Sequence, residues 1–260
     1  MKAMIMTCVL MLLGGCASDD RASWVPGSAS QGECPKLTSD QEFTLNMAQT
    51  MADEGRLHAS LANLESLPAD LGEVRLRKAR ILRLLGSREA EPLYSSLLGT
   101  CRAAEGEHGL GQLAAARSDY LQALQHLQRA AKLAPTDEKV RNDLGVAYLN
   151  LMNVDQARFQ FLTALELKPA DTLPAQNLVT LLIYEDNWQR AAELTSRTGL
   201  TPRQVSEAQQ RAEQLIRQGT IPEPAVLRKI PVPRNTALNR EIPMSVGLGP
   251  VASGHEGVTP

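Results

Sequence analysis

The apolar positions of this chain fall in bursts with helical spacing. "HLQRAAKLAP" and "QFLTALELKP" each read as an apolar helical run closed by a proline, and those prolines, Pro135 and Pro169, stand 34 residues apart. A step of 34 also aligns Leu110-Gly111 with Leu144-Gly145, Ala123 with Ala157, Leu127 with Phe161 and Ala130 with Ala164. A further step reaches Leu178 and Ala191, and Tyr120, Val154 and Trp188 form another apolar series at the same spacing. The pattern is therefore an internal repeat, each unit one pair of antiparallel helices. Earlier units are more degenerate: Gly55 and Ala59 recur as Gly86 and Ala90, each pair between two apolar helical stretches, with a weak point at Pro92. Five units are expected, at about 40–70, 72–103, 104–137, 138–171 and 172–199. Thr201 and Pro202 then open one more helix, as N-cap and first residue, which ends at Gly219 and is polar over much of its surface.

Gly145 stands in the middle of a predicted helix, where it costs roughly 1 kcal/mol relative to alanine. Neither helix of a unit buries its apolar face alone, so close approach of the pair offsets that cost. Small Gly145, Ala157 and Ala164 let the helices approach, Leu144, Tyr148 and Phe161 fill the space around them, and Pro169 stops the second helix. Leu144, Gly145, Tyr148, Ala157, Phe161, Ala164 and Pro169 stand at the spacings of the tetratricopeptide repeat (TPR), and the unit they define resembles that family closely. Only the initial tryptophan is missing, replaced by Arg141. The resemblance implies an all-α superhelical solenoid of about five helix pairs plus a capping helix, over residues 40–219.

Composition agrees with packed helices: 43% of residues are hydrophobic but only 3% aromatic, so the core is built from small and medium side chains. The ends differ. "MKAMIMTCVLMLLGGC" has Lys2, an apolar run from Ala3 to Leu13, and then Gly14-Gly15-Cys16. That run is too short to span a membrane and reads as a signal peptide over 1–15. "LGGC" resembles the lipobox of bacterial lipoproteins, which implies an acylated Cys16 as the mature N-terminus and a lipid anchor in a membrane. Ala17, rather than Asp, follows the cysteine, which favours the outer membrane over retention in the inner one, with the chain facing the periplasm. Residues 16–39 read as a flexible tether. Residues 220–260 hold seven of the fifteen prolines and are expected to be a disordered tail. Ile221, Val226, Leu227, Ile230 and Val232 leave a docking segment as the alternative. With Cys8 in the leader and Cys16 in the anchor, Cys34 and Cys101 remain; in an oxidising compartment they suggest one disulfide, or else two separate thiols.

Little catalytic chemistry is legible. His58, His108, His126 and His255 are not spaced with Cys, Asp or Glu as in a metal site, so no metal or cofactor is expected. No Gly-x-Ser-x-Gly, P-loop or zinc-protease motif is present, and an enzyme acting on a small-molecule substrate is not expected. A formal charge of −2, without a basic stripe interleaved with aromatics, argues against nucleic acid. What remains is a surface. In TPR solenoids the first helix of each unit lines the concave side. On those helices, the face away from Leu144 and Tyr148 carries His108 and Gln112, then Asn142, Val146, Leu149 and Asn150, then Gln176, Thr180, Ile183 and Tyr184. This stripe mixes apolar side chains with amides and suits a partner helix or short peptide. A strongly acidic peptide is not expected there, because the stripe lacks a Lys/Arg cluster.

"VRNDLGVAYLNLMNVDQARFQFLTALELKP" followed by "PAQNLVTLLIYEDNWQRAAEL" resembles the TadD lipoproteins of tight-adherence (Tad/Flp) pilus systems. The resemblance, over roughly residues 1–200, implies a pilotin: an outer-membrane assembly factor that binds the secretin subunit, through its C-terminal segment by analogy with other pilotins. A pilotin of a type IV pilus or type II secretion system, and an envelope scaffold regulating a peptidoglycan enzyme, stay open.

Overall fold

A computed structural model describes residues 33–219. The expectations for the signal peptide, Cys16, most of the tether and the 220–260 tail lie outside the described residues. Eleven helices and no strand occur among the described residues. They pair as the repeat pattern predicts: α1 (Ser39–Asp53) with α2 (Leu57–Leu64), α3 (Gly72–Leu84) with α4 (Ala90–Ser95), and α5 (Ala103–Ala116) with α6 (Tyr120–Leu133). The last pairs are α7 (Glu138–Asn150) with α8 (Val154–Leu167) and α9 (Thr172–Tyr184) with α10 (Trp188–Thr198), followed by α11 (Pro202–Gly219).

Helix starts follow the repeat. Asp119, Asn153 and Asn187 cap α6, α8 and α10 by accepting from a backbone N–H three residues on, and Asp137 and Asp171 do the same job for α7 and α9. Units 1 and 2 are poorer: α2, α3 and α4 have no side-chain cap, nor does α5 at the start of unit 3, and α4, with Pro92 inside it, is only 6 residues long. Within each unit the two helices are joined through a residue in the left-handed region. It is Gly55 (φ +77°) and Gly86 (φ +71°) in the first two units, then Ser118 (φ +61°), Met152 (φ +57°) and Asp186 (φ +59°). Before α11, Thr201 Oγ1 accepts from the Gln204 N–H while Gln204 Oε1 accepts from the Thr201 N–H, a reciprocal cap ahead of Pro202.

The core is a series of four clusters along the solenoid. Each is shared by neighbouring units, as expected where no unit buries its own apolar surface. Ala123, Ala130, Ala157, Phe161 and Ala164 are completely buried, and Leu110, Leu144, Leu178 and Ala191 nearly so. A methyl group on Gly145 would stand 2.5 Å from the Phe161 ring, and one on Gly111 2.7 Å from the Leu127 side chain. Close approach of the paired helices is thus what Gly145 permits. Tyr148 is half-buried, with its hydroxyl accepting from Gln128 Nε2 at 2.9 Å. Pro135 and Pro169 follow the C-caps of α6 and α8.

Two features depart from a regular repeat. Trp188 was expected in the apolar series but is 51% exposed, with its indole N–H donating to Asp186 Oδ1 at 2.6 Å. The reason lies in α11, which packs along α9 rather than against α10 and leaves the start of α10 without a covering helix. Cys34 and Cys101 are joined in a disulfide across 67 residues, which ties the segment before α1 to the connection between α4 and α5.

Candidate partner-binding groove

The ten stripe residues do not form one open surface. Asn142 is only 3% exposed: its Oδ1 accepts from Asn177 Nδ2 at 2.8 Å, and its Nδ2 donates to Asp143 Oδ1 at 3.2 Å. Leu149 and Ile183 belong to the core around α9, and Val146 and Tyr184 pack against it half-buried. Thr180 is buried, with its hydroxyl donating to the Gln176 carbonyl one turn back. These assignments to an open groove are corrected: Asn142 is engaged from α9, and around α9 itself the cause is α11. Its Ala208, Ala212 and Leu215 complete the same core cluster, Glu207 accepts from Gln176 Nε2 at 3.2 Å, and Arg211 donates to Asn150 Oδ1. The capping helix therefore takes up the C-terminal half of the stripe. Gln176 and Asn150, both half-buried, are engaged by the chain itself.

His108 and Gln112 remain, and both line an open groove of about 560 Å³ over the first three units and the start of the fourth. The walls come from α1 (Ala48, Gln49, Ala52, Asp53), α3 (Arg77, Arg80, Ile81, Arg83, Leu84) and the start of α5 (Ala104, Glu105). The α6–α7 connection closes it with Ala134 and Asp137, followed by Glu138, Lys139 and Val140. On α3, residues 77, 80, 81 and 84 share one helical face, so periodicity alone aims them into the groove.

Beside that groove His108 Nε2 meets Asp143 Oδ2 at 2.7 Å, and Gln112 Nε2 donates to the same oxygen at 2.8 Å. Asp143 is the residue the stripe omitted, one position beyond Asn142. Burial works against its charge, yet the hydrogen bond and charge of His108, with the amides of Gln112 and Asn142, hold its carboxyl below the usual range. Nearer α1, Arg77 donates to Glu73 at 2.9 Å, to the Leu45 carbonyl at 3.1 Å and to Gln49 Oε1 at 3.1 Å. Arg102 bridges Glu73 at 2.8 Å and Glu105 at 2.7 Å. Away from the groove, Glu107 is buried between Arg129 Nε at 2.7 Å and His126 Nδ1 at 2.7 Å, and so ties α5 to α6.

The stripe itself carries no Lys/Arg cluster, but the groove that is open in the fold holds basic residues alongside an equal number of carboxylates. Arg77, Arg80 and Arg83 on α3 and Lys139 on α7 all line it. They were missed because the stripe was traced only through units 3 to 5; one further step of 34 back from His108 and Gln112 lands on Val74 and Lys78 of α3, not on the residues that line the groove. The density of basic residues at 75, 77, 78, 80 and 83 was the available signal. Among the described residues no group of three or more His, Cys, Asp or Glu side chains is placed to hold a metal ion.

A family model described as "Tetratricopeptide repeat" matches residues 114–182. The chain is 42% identical, over 242 residues, to the TPR repeat-containing protein PA4299 of Pseudomonas aeruginosa, which covers 89% of this chain and 95% of that protein. The fold is similar to that of Pseudomonas aeruginosa pilF, with a TM-score of 0.54 and 18% identity over 72% of this chain and 94% of the other. A structure of MamA from Desulfovibrio magneticus RS-1 aligns with a TM-score of 0.49 and 18% identity, over 67% of this chain and 99% of the other. The full-length relative, the repeat match and the paired helices together establish that this chain belongs to the TPR proteins, whose fold is a non-catalytic scaffold that binds protein partners.

Proposed function

We propose that the protein is a lipid-anchored, pilotin-like assembly factor of the outer membrane, facing the periplasm. It serves the secretin of a Tad/Flp pilus system and holds the secretin's C-terminal segment in its groove. The observation that carries this reading is a solenoid groove left open over α1, α3, α5 and the start of α7, in a chain that also carries Gly14-Gly15-Cys16 behind a short apolar run. The mechanism is physical. Acyl chains on Cys16 confine the protein to one membrane, and the groove confines the client to the protein. Tethering raises the client's local concentration at that membrane, so a modest groove affinity suffices.

The test separates anchor from fold. Replacing Cys16 with Ser leaves the helical spectrum and thermal unfolding unchanged but mislocalises the secretin and lowers the number of assembled rings. Secretin rings unchanged in number and place in that variant would refute the role. Pull-down of purified secretin by the wild-type protein tests the client directly.

A further inference from the structure

The Cys34–Cys101 disulfide joins two walls of the open groove. Cys34 stands just ahead of α1, which starts at Ser39, and Cys101 just ahead of α5, which starts at Ala103. Both helices wall the groove, and α3 packs between them. The bond therefore links the starts of α1 and α5 across a third helix. Little else holds that side. Residues 33–37 make no hydrogen bond among the described residues, Leu37 packs only half-buried against the core of units 1 and 2, and α5 has no side-chain cap. From the disulfide a run of polar contacts leads into the groove. Arg102, next to Cys101, pairs with Glu73 at 2.8 Å and with Glu105 at 2.7 Å. Glu73 also accepts from Arg77 Nε at 2.9 Å, and Arg77 donates to Gln49 Oε1 on α1 at 3.1 Å. Gln49, Arg77 and Glu105 all line the groove. Both cysteines are only half-buried, and a disulfide that is not fully enclosed is open to attack by a thiolate.

We infer that the Cys34–Cys101 bond is a redox-operated clamp on the groove: oxidised, it holds α1 and α5 at the spacing that admits the client; reduced, it lets them part, and client affinity falls. The inference rests on the groove-binding reading above and adds the regulation of that site. A protein dithiol supplies the reduction. One donor thiolate attacks a cysteine Sγ to form a mixed disulfide, and the second donor thiol then displaces that cysteine. Two electrons and both donor hydrogens pass to Cys34 and Cys101, which become thiols, and the donor leaves as a disulfide. The reduced chain keeps its helices, because neither cysteine belongs to a core cluster. It holds the competent spacing for only part of the time, and apparent affinity falls by that fraction.

The test compares the full mature protein in detergent as oxidised, after reduction with a phosphine, and after reoxidation. Spin labels attached through p-acetylphenylalanine, in place of Phe43 on α1 and Ala116 on α5, report the wall spacing without using thiols; both positions are exposed. Capture of purified secretin reports binding. Reduction is expected to lengthen or broaden the label distance while the helical spectrum is kept, and to weaken capture roughly tenfold. Reoxidation restores both. Cys34→Ser combined with Cys101→Ser behaves as the reduced protein under every condition. An unchanged label distance, or equal and non-zero capture in both states, overturns the inference. Collapse of the helical spectrum on reduction also overturns it, because the bond would then be a brace for folding alone. If the oxidised protein captures no secretin while the distance still responds to reduction, the client assignment fails and the clamp stands.

Discussion

At the scale of single residues, space and charge decide what each position tolerates. Alanine at 145 would gain roughly 1 kcal/mol of helix propensity. Its methyl would sit 2.5 Å from the Phe161 ring, and overpacking of a closed core costs typically 1–3 kcal/mol. Gly145→Ala is therefore expected to lower stability in urea, and to raise it in a Phe161→Ala background where the ring is gone; the two curves together measure the coupling. Asp143 gives a pH dependence. Its folded carboxyl lies below the ordinary value of 3.8, so its contribution is fully present above that value and is lost as pH falls through the folded pKa. Acid unfolding followed by circular dichroism should show wild-type protein losing stability below about pH 4 more steeply than Asp143→Asn.

At the scale of elements the units are unequal. Units 3 to 5 repeat their caps every 34 residues, at Asp119, Asn153 and Asn187 and at Asp137 and Asp171. These caps were legible in the sequence to the same step that aligned the apolar residues. Units 1 and 2 have three of their four helices, α2, α3 and α4, without a side-chain cap, and α4 is only 6 residues long, so local terms hold them weakly. The Cys34–Cys101 bond closes the chain around these units. Closing a loop of that length in the unfolded chain is worth about 4 kcal/mol in the chain-entropy account. Replacing both cysteines with serine should lower stability by up to about 4 kcal/mol. Hydrogen exchange should rise first in α1–α4, with α7–α9 protected as before; uniform loss of protection along the solenoid would contradict this picture.

At the scale of the molecule, the four core clusters run in series, each shared by adjacent units, so the groove's shape depends on the stacking of helices rather than on any one of them. The series is not uniform at its end. α11 packs along α9, buries Ala208, Ala212 and Leu215 there, and reaches back to Asn150. A polar helix ending at Gly219 was foreseeable; the face it would cover was not. That one placement turns Thr180 and Ile183 into interior residues and leaves the open groove at the opposite end of the solenoid, over α3 and its arginines.

The sequence by itself determined the helix pairs, their turns and their buried small and large residues, because a repeated contact between neighbouring helices imposes a repeated spacing. It determined far less about the groove. A stripe drawn from one helix's outward face ignores the helices that pack on either side, and so it counted Asn142, Leu149, Thr180 and Ile183 as surface. Only the tertiary structure decided which face α11 covers and which residues line the groove left open. Burial and charge balance depend on neighbours from other units, and a local period carries no information about those.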